Sequence, residues 1–445
     1  MKTVNEKTRR LINVVLVGCV GLLPARAQSS QETLKLTLED ALEVALSENP
    51  TIRVADQEVT KKGYAKKGTY AALFPQIDLV GNYQRTIEKQ VMYMGDQSIA
   101  VGRDNTWSGG LSASMPLISI STWKSLKISA YDVELSVEQA RSSRIELIDH
   151  VKRAFYSVLL AGDAYDVYKE VYDNAIYNHR EIKQKYEQGL AAEYDLIRAN
   201  VNVKNAEPNL YDAENSIILA HWQLKALLGL DLESNIECIG RLSDYKDTLL
   251  ADFVGTTTDL TENTDLKQLD IQRLQLEKTK QMQIAQYYPS LSASFNYQWN
   301  SMANNFKLSK YKWDPYSTLG VNLTIPIFSG GKRYSNVKQT QISLKQLSDQ
   351  REDIESNLRL SVKQYTDQMN TCIKQYSAAT AGVAEAEKSY LITMKRYETG
   401  EGTLLEINDA QLSLTQSQLN LSQSIYNYLV AKSSLEKVLG NVTAK

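Results

Sequence analysis

The chain repeats itself. Phe74-Pro75-Gln76-Ile77-Asp78-Leu79-Val80-Gly81-Asn82-Tyr83-Gln84 returns as Tyr288-Pro289-Ser290-Leu291-Ser292-Ala293-Ser294-Phe295-Asn296-Tyr297-Gln298. Ser114-Met115-Pro116-Leu117-Ile118-Ser119 returns as Thr324-Ile325-Pro326-Ile327-Phe328-Ser329, and Lys185-Tyr186-Glu187-Gln188-Gly189 as Arg396-Tyr397-Glu398-Thr399-Gly400. The three landmarks keep their order at an offset of roughly 210 residues, so the chain reads as two copies of one unit. Each copy holds two short alternating stretches flanked by very long helical ones.

In the alternating stretches the period falls to two. Ile77, Leu79, Gly81 and Tyr83 alternate with Asp78, Val80, Asn82 and Gln84, and Trp107, Gly109, Leu111, Ala113 and Met115 with Ser108, Gly110, Ser112 and Ser114. In the second copy Leu291, Ala293, Phe295, Tyr297 and Trp299 alternate with polar residues, as do Leu319, Val321, Leu323, Ile325 and Ile327. The pattern predicts strands at about 77–89, 106–116, 291–300 and 317–327, close to the length of a tilted membrane strand. Tyr83, Trp107, Trp299, Trp313 and Tyr316 fall near the ends, where a transmembrane barrel carries its aromatic girdle. A pair of soluble hairpins with one buried face has the same alternation.

Between the strand pairs, residues 121–187 hold no Pro and a single Gly, Gly162, and residues 332–398 are alike with Gly382. At ~1.5 Å per residue each predicts a helix about 100 Å long. Tyr365, Met369, Cys372, Tyr376, Ala379, Val383, Ala386 and Tyr390 alternate steps of four and three, as do Tyr165, Tyr168, Tyr172, Ala175, His179, Ile182 and Tyr186. Such a sustained repeat means coiled-coil packing. The turn glycines Gly189 and Gly400, the latter followed by Gly402, stop these helices, and return helices over 193–228 and 403–439 make antiparallel hairpins. Pro208 is expected to kink the first return helix. Thr37 reads as the cap of a first helix ending near Asn49-Pro50, followed by a second over 51–72. The organisation is then a leader over 1–27, a first repeat over 28–228, a link of little regular structure over 229–263, a second repeat over 264–440 and a tail over 441–445.

Lys2, Lys7, Arg9 and Arg10, the apolar run Leu11 to Leu23 and Ala25-Arg26-Ala27 form an export leader cleaved after Ala27. Leu16-Val17-Gly18-Cys19 offers a rival, a lipobox with lipid on Cys19. No later run reaches the ~20 apolar residues of a spanning helix, so entry into a membrane requires a β-barrel. A formal net charge of −2 gives no electrostatic case for nucleic acid. Only 8 Pro suit long helices, and 26 Tyr against 6 Phe suit surfaces half packed and half wet. Cys238 and Cys372 sit in different repeats without metal spacing and read as buried thiols. His150, His179 and His221 lie in separate helical positions and read as ordinary helix residues rather than ligands or bases. Lys61-Lys62 and Lys66-Lys67 read as a solvated face. There is no phosphate-binding loop and no nucleophile motif, so no cofactor, metal or enzyme activity is expected.

This order of elements resembles the TolC family of outer membrane efflux proteins. The resemblance is carried by Thr37-Leu38-Glu39-Asp40-Ala41-Leu42, the Phe-Pro and Tyr-Pro strand starts, Ile325-Pro326-Ile327-Phe328-Ser329-Gly330-Gly331-Lys332-Arg333, and Arg396-Tyr397-Glu398-Thr399-Gly400 leading to Asp409-Ala410-Gln411. It implies a fold of helical hairpins and transmembrane β. Three copies, four strands each, form a 12-stranded barrel in the outer membrane of a Gram-negative bacterium, continued into the periplasm by an α-helical coiled-coil barrel. Physics agrees that one copy cannot suffice, because open strand edges are not tolerated in lipid. The implied function is a channel for efflux or secretion, working with a periplasmic adaptor (membrane fusion) protein and an inner-membrane transporter of RND, ABC or MFS type. Glu406 and Asp409 are implied to line the periplasmic aperture, where like charges raise one another's pKa. Both also suit a solvated first helical turn. Tyr397 is implied to bond Asp195 and latch the tip. Gly402 and Tyr194 stand where well-studied members place an Arg and a Thr that pair, so a looser or different latch is expected. Two other readings remain: an exported coiled-coil scaffold without a pore, and the exit duct of a type I protein secretion system.

Overall fold

The computed structural model describes residues 33–251 and 259–441. The leader, with Cys19 and Ala27, and the tail beyond Asn441 lie outside them. Along the chain run β1 (Leu34–Leu36), α1 (Leu38–Glu48), α2 (Pro50–Ala71), β2 (Gln76–Arg85), β3 (Gln90–Met94), β4 (Gln97–Val101), β5 (Asn105–Ile118), α3 (Ile120–Glu187) and α4 (Glu193–Leu228). There follow β6 (Ile236–Cys238), α5 (Lys246–Ala251), α6 (Thr264–Ala285), β7 (Ser290–Ala303), β8 (Asp314–Thr324), α7 (Lys332–Glu398) and α8 (Leu404–Leu439). The duplication holds to within a residue in its helices: α2 and α6 have 22 residues each, α3 and α7 have 68 and 67, and α4 and α8 have 36 each.

Local chemistry explains where the helices begin. Thr37 and Asp40 exchange hydrogen bonds as a capping box at α1. Asn49 caps α2, accepting from the Thr51 amide at 2.8 Å, and its own amide donates to the Leu227 carbonyl at 2.7 Å. Asn263 does the same one repeat later: its Oδ1 accepts from the Asp265 and Leu266 amides, and its Nδ2 donates to the Val438 carbonyl at 2.7 Å. One side chain thus starts one helix and satisfies the end of another, joining each return helix to the front of its own repeat. The return helices end at Gly229 and Gly440, with φ of 72° and 71°, a conformation that favours glycine. A Cβ at Gly440 would meet the Glu262 carbonyl oxygen at 2.1 Å; at Gly229 the Glu48 oxygen lies at 3.0 Å.

Each return helix packs on its long partner through small residues seven apart. On α4 they are Ala199, Ala206, Ala213 and Ala220, all buried. On α8 the equivalent positions are Ala410, Ser417, Ser424 and Ala431. Small residues let the backbones approach along a long, nearly parallel crossing. The heptad seam on α7 faces inward as expected, with Met369, Cys372, Ala386 and Tyr390 buried. Pro208 lies within α4, which continues through it to Leu228.

The main core sits at the waist, where α1, the middle of α3 and α7 and the ends of α4 and α8 converge. Phe155, Leu224, Leu228 and Tyr428 are fully buried there. The described parts of the link, 229–251 and 259–263, are more regular than their composition suggests. They contain β6, a 3-10 turn over Leu242–Tyr245 and α5. β6 pairs in parallel with β1, Leu34 with Ile236 and Leu36 with Cys238, which ties this part of the link to the start of the first repeat.

The strand limits also differ from expectation. β2 stops at Arg85, short of 89, because the chain turns into a separate hairpin, β3–β4, that the alternation did not reveal. β8 runs from Asp314 to Thr324 instead of 317–327: Pro326 has no N–H to continue a ladder, and its carbonyl accepts from Arg333.

Candidate functional site: a two-faced sheet and a hairpin tip

β2, β5, β7 and β8 form one antiparallel sheet in that order, the two hairpins joined through the β5–β7 pairing. Directly opposed residues share a face, so the register sorts every side chain. One face carries the rows Ile77–Ala113–Phe295–Leu319, Leu79–Leu111–Tyr297–Ser317 and Met115–Ala293–Val321. The other carries Gln76–Ser114–Ser294–Gly320, Asp78–Ser112–Asn296–Thr318 and Asn82–Ser108–Asn300–Asp314. The apolar face has no cover: Leu79 and Leu319 are each 80% exposed and Ile77 69%. A hairpin of a soluble core would bury that face. Both edge strands, β2 and β8, also lack a neighbour on their outer side among the described residues.

Aromatic residues bound this face at both ends. At the end away from the helices, Tyr83 and Trp107 pair in register with ring centroids 4.3 Å apart, and Phe306 packs edge-on to both. The Tyr83 hydroxyl donates to Asn105 Oδ1 at 2.8 Å. Trp299 stacks edge-on to Tyr297, and Trp313 stands exposed before β8. Tyr316 does not belong with them: it pairs in register with Gln298 on the polar face, and its hydroxyl donates to the Gln298 carboxamide at 2.6 Å. Its position near a strand end hid its parity. A second aromatic group that alternation did not single out, Phe74, Tyr287, Tyr288 and Phe328, lies exposed where the sheet meets the helices. About ten residues separate the two groups along β7, roughly 34 Å of strand, enough for a tilted crossing of an apolar layer. Among the described residues no helix is long and apolar enough to cross a membrane.

The far end of the molecule is the pair of hairpin turns. Gly189 and Gly400 take φ of 76° and 81°, so both long helices stop in the same left-handed turn. Gly402 fits a tight return: its N–H donates to the Arg396 carbonyl at 3.0 Å, and a Cβ there would lie 3.0 Å from the Tyr397 nitrogen. Thr403 caps α8, and the Glu406 carboxylate folds back to accept from the Thr403 amide at 3.0 Å. Glu406 and Asp409 are both exposed, one turn apart on α8.

Tyr397 and Asp195 are brought together, but no hydrogen bond joins them among the described residues. Tyr397 is held by packing instead. It packs against two apolar clusters, one of Ala386, Tyr390, Ile407 and Leu414 in its own hairpin and one of Ile182, Ala199 and Leu404 at the junction with the other. The Lys185 ammonium stands 5.1 Å from its ring centroid. Burial, and then the nearby Asp195 charge, raise the Tyr397 pKa, so the ring carries a neutral hydroxyl. Leu404 and Ala199 are parts of this contact that the motifs did not mark. A leucine directly after a capping threonine, facing a heptad alanine, was the available signal.

Just above this contact the two hairpins separate around a cavity of 420 Å³ between α3, α4 and α8. It is lined in part by Asn174, Asn178, Asn202, Asn205, Asn209 and Asn408. At the waist, by contrast, α3 and α8 are pinned: Asp149 is 2% exposed, accepts from Ser433 at 2.7 Å and pairs with Arg153 at 3.0 Å, while Lys152 pairs with Glu436 at 2.7 Å.

The remaining candidates are accounted for locally. His150 is exposed near Glu146, and burial holds the His221 pKa below its ordinary value. Cys372 is buried and Cys238 half-buried, both free, and burial pushes the Cys238 thiol up to about 12. Lys61 and Lys62 share Glu58.

The sequence profile described as "outer membrane efflux protein" matches residues 41–230 and 258–441. The outer membrane protein TolC of Vibrio cholerae is 23% identical over 381 residues, covering 84% of this chain and 83% of that protein. The alkaline protease secretion protein AprF of Pseudomonas aeruginosa is 22% identical over 419 residues, covering 92% and 85%. Among solved structures, the Campylobacter jejuni CmeC outer membrane channel superposes with a TM-score of 0.73 at 19% identity, over 91% of this chain and 85% of that one.

Proposed function

This chain belongs to the outer membrane efflux protein family, and from that premise we propose that three copies close their sheets into one 12-stranded barrel continued by a helical tunnel. The chain is a TolC-like outer membrane channel of efflux or secretion type, a transporter rather than an enzyme. The observation that carries the trimer is the uncovered two-faced sheet with two unpaired edges. Closing β8 of one copy on β2 of the next removes the edges, turns the apolar rows to lipid and the Asn, Ser and Thr rows to a wet lumen. A pore-free scaffold leaves those rows without cover.

The barrel opens into α3 and α7, each about 100 Å long, which suits a duct reaching from the outer membrane across the periplasm. At its far tip, Glu406 and Asp409 of three copies form acidic rings that narrow the aperture and favour cations. The bond of Glu406 to the Thr403 amide sets where its ring lies. Tyr397, beside Asp195, latches the second hairpin to the first through packing. The cavity above it interrupts the packing between the hairpins, so releasing the latch frees the tip while the Asp149 pin keeps the waist fixed.

Energy comes from elsewhere: a periplasmic adaptor and an inner-membrane transporter of RND, ABC or MFS type supply the solute. The named relatives include a protease secretion protein, so type I secretion stands beside small-molecule efflux. The test is the detergent-corrected mass of the protein extracted from outer membranes, followed by conductance in a planar bilayer. Three chains and discrete channels are expected. A monomer without channels overturns the barrel.

A further inference from the structure

One rim of the sheet carries cations that the fold leaves unmatched. Arg85 ends β2 and pairs in register with Asn105, so it stands on the apolar face one pleat beyond Tyr83 and Trp107. Lys307, Lys310 and Lys312 are the only charged residues of the loop from Asn304 to Trp313. All four are exposed. None has an ion pair or side-chain hydrogen bond among the described residues, whereas Lys89 on the same rim pairs with Asp104 at 2.8 Å. The nearest acid in sequence to the loop, Asp314, shares its row with Asn300, Ser108 and Asn82 on the polar face, the opposite side of the sheet from Arg85.

Edge geometry brings these cations together. β2 ends at this rim and β8 begins there, and they are the two edge strands. When β8 of one protomer pairs with β2 of the next, Arg85 of one chain comes beside the lysine loop and Trp313 of its neighbour. The rim is the end away from the long helices, hence the outer leaflet. We propose that each protomer seam binds the phosphate of an outer-leaflet glycolipid of the lipid A type, with Arg85 and the loop lysines as its ligands. This rests on the three-chain barrel.

The chemistry fits a lipid phosphate. A guanidinium grips phosphate oxygens in a bidentate fork, and ammonium groups add compact charge on flexible stems. Tyr83, Trp107 and Trp313 hold the rim at headgroup depth, and clustered cations beside a membrane recognise anionic headgroups. The composite arrangement also places lipid across the joint between chains, where it strengthens the trimer by binding only the assembled form.

The probe is bisphosphorylated lipid A, compared with its dephosphorylated form and with phosphatidylglycerol, each added to purified trimer and read by native mass spectrometry. Retention of one bisphosphorylated lipid per seam is expected, about ten-fold tighter than either alternative. Combined Arg85→Gln and Lys312→Gln is expected to abolish that preference with the trimer mass unchanged. Equal retention of the dephosphorylated lipid, equal retention of phosphatidylglycerol, or full retention by the double variant overturns the proposal. The wild-type lipid comparison decides even if the variant fails to assemble. A wild-type chain that is no trimer overturns the barrel instead.

Discussion

The two hairpin tips descend from one sequence and finish differently. In the second, Thr403 and Glu406 close a capping box on α8, and Tyr397 is packed between the hairpins. In the first, α4 starts after Ala192 with no side-chain cap, and Leu190, Tyr194 and Ile197 are 74%, 66% and 57% exposed. Tyr186, the repeat counterpart of Tyr397, is 39% exposed. The turn survived duplication because only glycine sits easily at positive φ, in Gly189 and Gly400 alike. The residues after each glycine diverged. The second tip closes its own helix start and the first leaves its start uncapped, while both keep exposed apolar side chains, Leu412 at 67% in the second.

The largest asymmetry expected is at the waist joints. Gly440→Val forces a side chain onto the Glu262 carbonyl in a left-handed conformation, and should cost on the order of 3–4 kcal/mol. Gly229→Val, with more room, should cost about 2 kcal/mol. Urea midpoints measure both, and a costlier Gly229 variant breaks the ranking. Next comes the latch. Tyr397→Ala should raise single-channel conductance several-fold, Tyr397→Phe with Asp195→Ala far less, and Tyr186→Ala hardly at all. Comparable gains for the Phe and Ala variants would return the latch to the Tyr397 hydroxyl and the Asp195 carboxylate.

Asn263→Ala should cost about 1–2 kcal/mol, and Asn49→Ala somewhat less, because Asn263 accepts from two amides and Asn49 from one. Smaller again, Thr403→Ala should cost about 1 kcal/mol, while Ala192→Ser should gain up to that much by supplying the missing cap. No gain at Ala192 would mean that the first tip is set by its neighbour rather than by its own helix start.

The smallest effect is one of pH. Asp163 on α3, where the second repeat has Lys374, has its pKa raised by burial, against the lowering effect of the Ser422 hydroxyl that donates to it at 3.1 Å. The folded state then holds the proton more tightly than the unfolded chain. This group's contribution is full below the ordinary carboxylate pKa and is lost as pH rises through the raised one. Asp163→Asn should flatten that slope and slightly raise the thermal midpoint at neutral pH. An unchanged slope removes Asp163 as its source.

The duplication, the helix limits and the identity of the sheet were legible in the chain because each rests on local rules: glycine stops, long breaker-free heptads and a period of two. The β3–β4 hairpin and the β1–β6 pair were not. They are short, and their partners lie across a turn or 202 residues away, so no local periodicity marks them. Asn49 and Asn263 looked like simple helix starts. Their second bond, to the end of a return helix, exists only once the hairpin has folded back. Tyr316 sat near a strand end in sequence, yet its face depends on register, which cross-strand pairing sets.

Periodicity and punctuation act within a few residues, and they are enough to make this protein two copies of a strand-pair and helical-hairpin unit. Long-range packing is what holds Tyr397 without a bond to Asp195, and the fold of the tip ties Glu406 to its own helix cap. Cross-strand register aligns the apolar rows of four strands into one uncovered face. Those outcomes depend on which distant side chains arrive at the same place, and distance along the chain carries no record of it.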